Sequence, residues 1–131
     1  MRLLATPVEL TFPCDDRLMR LARLTAGGIA AVCGLPLDEA EDLRLVVDEV
    51  CAALFAACDG GPVHVGFRID GSALVVDGST STGPLAEQDD DARSALGRQI
   101  LDVLTDSHSA TRDGDGLTVR ARIALRGRGA G

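Results

Sequence analysis

The sequence predicts an α/β fold, a two-layer sandwich with helices on one face of a mixed sheet, in the order β-α-α-β-β-α-β. Three observations lead there. The residues from Val63 to Val76 alternate apolar and polar around Asp70-Gly71, a strong hairpin signal because both turn residues tolerate positive φ. The residues from Leu43 to Cys58 form a helix that is apolar on most sides in its second half, as a central core helix would be. Two further segments carry a single apolar stripe at helical period, each preceded by paired or tripled aspartates.

Taken in order, Val8 to Phe12 reads as a short strand that Pro13 ends by removing a ladder donor. Asp15 and Asp16 are placed to cap a helix whose apolar face is Leu18, Leu21, Ala22, Thr25, Ile29 and Val32. Gly27-Gly28 inside it disfavours the helix by about 1 kcal/mol per residue against alanine, so either a partner surface packs closely there or the helix bends. Gly34-Leu35-Pro36-Leu37 is a break, and Asp38 with Glu41 predicts a variant capping box for the second helix. That helix carries Leu43, Val46, Val47, Val50 and Leu54 as its stripe and stops at Asp59-Gly60-Gly61-Pro62.

After the hairpin, Asp77 to Asp91 is polar and reads as a loop. Asp89-Asp90-Asp91 then favours a helix start, with Ala92, Leu96, Ile100, Val103 and Leu104 as the buried face. Asp113 to Gly116 is a second turn, and Leu117, Val119, Ala121, Ile123 and Leu125 alternate along a final strand. One domain over 1–125 is expected, with 126–131 a frayed tail.

Composition excludes several functions. No apolar run is long enough to span a bilayer and no secretory signal opens the chain, so a cytoplasmic, soluble protein is expected. The net charge of −7 and the lack of an aromatic-plus-basic stripe argue against direct nucleic-acid binding. Cys14, Cys33, Cys51 and Cys58 show no paired spacing; they read as small buried hydrophobes, with a redox sensor among them as the alternative, and neither a zinc site nor a disulfide framework is expected. His64 and His108 read as ordinary surface residues, not ligands.

The run Asp42-Leu-Arg-Leu-Val-Val-Asp-Glu49-Val-Cys51 resembles the first nucleotide box of the RsbW-like anti-sigma factors of the Bergerat (GHKL) ATPase fold, above all their actinobacterial members. The order of hairpin, Asp77 loop, Leu96-Gly97-Arg98 helix and last strand extends the resemblance over nearly the whole chain. It implies Glu49 as general base, but the family's magnesium-binding Asn, four residues on, is Ala53, and the chain contains no Asn at all. A hard cation needs oxygen ligands, and alanine supplies none. The second box keeps Asp77 but reads Asp77-Gly78-Ser79-Thr80-Ser81, with serines at both required glycines; the third keeps Gly97 alone, and Thr118 is a further nucleotide-binding remnant. The lid between Ser81 and Asp91 is short and acidic. Read without the family, Glu49 is a solvent-facing charge, Asp77 a turn residue and Gly97 a helix-packing residue.

The resemblance therefore implies a pseudokinase: not an enzyme, with no bound cofactor or metal and at most weak ATP or ADP binding. Arg17, Arg20 and Arg23 recur at spacing three, and Ala22-Arg23-Leu24-Thr25 matches the family's partner-contact helix; Arg17, Arg20, Arg23 and Thr25 are thus the expected partner-binding residues. Without the family they are a solvated helix face. The implied function is an anti-sigma factor, a homodimer that holds an alternative sigma factor away from RNA polymerase until a STAS-domain anti-anti-sigma factor competes it off. The alternative is an active serine-protein kinase that phosphorylates that antagonist; a third reading is an adaptor with this fold and no sigma factor.

Overall fold

A computed structural model describes residues 6–82 and 92–125. Of the loop expected from Asp77 to Asp91, residues 77–82 are strand instead, because ladder bonds on both sides hold this polar stretch in the sheet; residues 83–91, with the aspartates at 89–91 and most of the expected lid, and the tail at 126–131 lie outside the described residues. The chain runs β1 (Val8–Phe12), a 3-10 turn (Asp16–Leu18), α1 (Met19–Cys33), α2 (Leu37–Ala57), β2 (Cys58–Asp70), β3 (Ala73–Thr82), α3 (Ala92–Leu104), β4 (Ser107–Asp113) and β5 (Gly116–Ala124). The strands form one five-stranded sheet in the order β1-β2-β3-β5-β4. Every neighbouring pair is antiparallel, so the sheet is not mixed as expected.

The helices cover one face. Val63, Val65 and Phe67 of β2, Leu74 and Val76 of β3 and Leu117, Val119 and Ala121 of β5 meet Leu43, Val46, Val47, Val50 and Leu54 of α2 in one buried core. Gly78 lies on this face too: a Cβ there would stand 2.7 Å from both Leu54 Cδ1 and Val50 Cγ1, so glycine lets α2 sit directly on β3. By the alternation of strand side chains, Asp77 and Ser79 point to the opposite, open face.

Two helix stripes differ from the expected ones. The buried residues of α1 are Ala22, Ala26, Ile29, Ala30 and Cys33, while Leu21 and Val32 are exposed. Small side chains let α1 approach α2, and a reading weighted toward large hydrophobes rotates the stripe. Among the described side chains of α3 the buried one is Leu101, Leu96 and Val103 stay 56% and 80% exposed, and the side chain of Ala92, expected on the buried face, lies outside the described set. Gly97 faces Glu49 of α2, where an added Cβ would stand too close.

Neither expected cap forms as drawn. The Asp15 carboxylate accepts the Arg17 amide at 3.0 Å and so caps the 3-10 turn, not α1 itself. The N-cap of α2 is Pro36, Asp38 accepts the next amide, from Glu39, at 2.9 Å, and Glu41 pairs with Arg44. The break after α1 does end on glycine: Gly34 takes a left-handed φ of 71°, and the Leu35 amide donates back to the Ala30 carbonyl, a Schellman closure.

Gly27 and Gly28 have open space where a Cβ would stand, and α1 runs through them unbroken. Packing within the chain does not require them. Gly28→Ala is expected to raise stability by about 0.5–1 kcal/mol through helix propensity, a gain that urea unfolding would register.

Cys33 and Cys51 are buried, as read, but Cys14 and Cys58 are joined in a disulfide across a sequence separation of 44. This corrects the expectation of four unpaired thiols. The turn after β1 and the end of α2 meet only through the tertiary fold, which spacing cannot disclose.

Candidate functional site

α2 presents Glu49 half-buried and Ala53 exposed, one helical turn apart on the same side. Across from them α3 brings Gly97, where an added Cβ would fall 2.6 Å from Glu49 Oε1. Glu49 and Gly97, far apart in sequence, are thus adjacent.

Asp77 and Thr118 are not part of this cluster. Asp77 lies on the open face and accepts from Arg68 Nε at 3.3 Å and from Arg120 Nε, while Asp70 holds Arg122 Nη1 at 2.9 Å. Thr118 is exposed on that same face, opposite Ser79 of β3 and Thr111 of β4. The thickness of the sheet separates both from Glu49. Arg122 draws the Asp70 carboxyl below its ordinary range. His64 accompanies Thr11 at 3.0 Å on this face, and His108 pairs with Asp102 at 2.6 Å.

Ala53 offers no oxygen, and among the described residues no group of three His, Cys, Asp or Glu side chains could hold a metal ion. Position 53 thus adds no oxygen ligand for a magnesium–nucleotide complex beside Glu49.

The arginines form the second feature. Arg20 and Arg23 are on α1 and Arg17 on the turn before it, all exposed. Arg17 makes a bidentate pair with Asp15, its Nη2 2.7 Å from Oδ2. Arg23 Nε donates to Asp48 Oδ1 at 2.6 Å and its Nη2 to Met19 Sδ at 3.8 Å, so two contacts orient a guanidinium that stays half exposed. Thr25 donates its hydroxyl to the Leu21 carbonyl at 2.9 Å, within its own helix. Sequence reasoning missed Asp48: 25 residues separate it from Arg23, and only the packing of α1 on α2 brings the two together.

The hydrogen bonds from Arg17 lower the Asp15 carboxyl from 3.8 to about 2. A depressed carboxyl stabilises the fold above its unfolded pKa and loses that contribution as pH falls through the folded one. The start of α1 is therefore expected to loosen between pH 4 and pH 2. An NMR titration of the Asp15 carboxyl with a midpoint near 4 would contradict this.

No protein-family model matches the chain. Over 64 residues it is similar to the serine-protein kinase RsbW of Halalkalibacterium halodurans, with 31% identity; the match covers 47% of this chain and 40% of that protein. The chain thus spans less than half the length of the curated relative it matches. The similarity points to a serine-protein kinase of the RsbW kind over this part of the chain. It also corrects one expectation: the named relative is an enzyme, so the reading of this chain as a non-enzyme does not stand. Among the described residues no helix is long and apolar enough to cross a membrane.

Proposed function

We propose that the chain is an anti-sigma factor of the RsbW kind, which works in the cytoplasm as a homodimer, holds an alternative sigma factor and yields it to a STAS-domain antagonist. The observation that carries the reading is Arg23: on α1, oriented by Asp48 of α2 and by Met19 of its own helix, with half of its side chain exposed to meet a carboxylate on a partner. Arg17 and Arg20 extend the same positive row. Arg23→Glu is expected to weaken sigma-factor capture by about 30-fold or more, on the scale of losing a paired interfacial charge, with an unchanged circular dichroism spectrum. Equal affinity of the two proteins in a pull-down against the sigma factors of the host would remove the α1 surface from the reading.

A second reading, phosphoryl transfer from ATP to a serine of the antagonist, is favoured by the kinase relative and by Glu49 lying against Gly97. If it holds, Glu49→Gln lowers transfer of labelled phosphate by about 10²-fold or more, the usual share of a general base, while capture stays intact. Transfer that is insensitive to Glu49 would exclude this residue as the base.

A further inference from the structure

We propose that Cys14 and Cys58 are a redox-modification site: peroxide closes the dithiol into the disulfide, a dithiol reductant reopens it, and the closed form fastens the arginine-bearing start of α1 to the end of α2. Both cysteines are half-buried, whereas Cys33 and Cys51 are buried. Burial pushes the Cys51 thiol up to about 12, which keeps it protonated and inert. The Cα atoms of Cys14 and Cys58 stand 6.7 Å apart, within bridging reach. Cys14 falls between Pro13, just past β1, and Asp15, the residue that caps the turn carrying Arg17. Cys58 is the C-cap of α2 and pairs with Thr82, the last residue of β3.

The bridge thus joins the entry to the arginine row with the helix that carries Asp48 and Glu49. The fold does not depend on it alone, because the rings of Phe12 and Phe55 pack beside it with centroids 6.0 Å apart. In a reducing compartment such a pair is transient and regulatory, not structural; this step, and any effect on capture, rest on the proposed function.

The chemistry balances with peroxide as oxidant. One cysteine thiolate attacks a peroxide oxygen; an S–O bond forms, the O–O bond breaks, and hydroxide leaves to become water. The second thiolate attacks the sulfenic sulfur; the S–S bond forms, the S–O bond breaks, and a second water results. Two electrons pass from the sulfurs to the peroxide oxygens. In reversal, a reductant thiolate attacks one sulfur and frees the other cysteine, and the second reductant thiol resolves the mixed disulfide. The reductant leaves oxidised.

The test treats the whole chain with dithiothreitol or with hydrogen peroxide, then with N-ethylmaleimide, and maps the products by peptide mass spectrometry. Cys14 and Cys58 are expected to label after reductant, to appear as one linked peptide pair after peroxide, and to label again once dithiothreitol is restored. Peroxide products that pair other cysteines, or that reach irreversible acids without bridging, overturn the site. Hydrogen exchange of the amides from 14 to 24 is expected to be roughly tenfold slower in the bridged form, since a closed loop restricts local opening. Cys58→Ser removes that difference. Equal exchange in both forms overturns the clamp. Neither readout uses a sigma factor, so failure here leaves the capture reading untouched, and failure of capture leaves the bridge standing.

Discussion

Leu54→Ala is expected to lower the free energy of unfolding by about 2–5 kcal/mol, the range for truncating a fully enclosed leucine. Leu54 has no exposed surface and lies over Gly78 of β3, where an added methyl carbon would stand 2.7 Å from Leu54 Cδ1. Gly78→Ala alone is expected to cost about 1–3 kcal/mol, because the new methyl must displace Leu54 and Val50 in a packed core. In the double variant the methyl enters space that Leu54 has vacated, so the two losses should fall short of additivity by about 1 kcal/mol or more, the coupling of residues in contact. Urea unfolding of the four proteins closes the cycle. Losses that simply add would mean that α2 does not sit on β3 at this point.

Reducing the Cys14–Cys58 bridge is expected to cost about 2–4 kcal/mol, because a crosslink over a loop of this size restricts the unfolded chain. The separation of 44 residues places the loop near the upper end of that range, at about 4 kcal/mol. Unfolding of the wild type with and without dithiothreitol should differ by this amount, whereas Cys14→Ser should unfold at one stability in both conditions. A reductant effect that persists in Cys14→Ser would have to arise from another pair. Cys51 is a poor alternative, with its buried thiol held protonated.

The strands and helices that the sequence announced are those whose apolar period is complete. α2 was legible from Leu43 to Leu54, and the Asp70-Gly71 turn does join two paired strands, with Gly71 at a φ of 66°. β4 was not, because Ser107 to Asp113 is a sheet edge with little to bury, and its pairing with β5 leaves no alternation to read. β3 runs to Thr82 for a related reason. Its polar second half is held by ladder bonds to β2 and β5, and the buried Thr80 hydroxyl donates to the Pro62 carbonyl at 3.0 Å.

At the candidate site, Glu49, Ala53 and the arginine row could be read from spacing along a helix, since positions three and four apart share a side whatever surrounds them. The α/β class and the central helix were likewise legible from residue order and local periodicity. What only the tertiary structure decided is which of these residues meet: Glu49 with Gly97, Arg23 with Asp48, Cys14 with Cys58, and Asp77 with Arg68 and Arg120 on the far side of the sheet. The physical reason is that periodicity records which face a residue takes within its own element. The rotation of one element against another is set by small-residue contacts such as Gly78 and Ala26, whose importance lies in the side chains they admit.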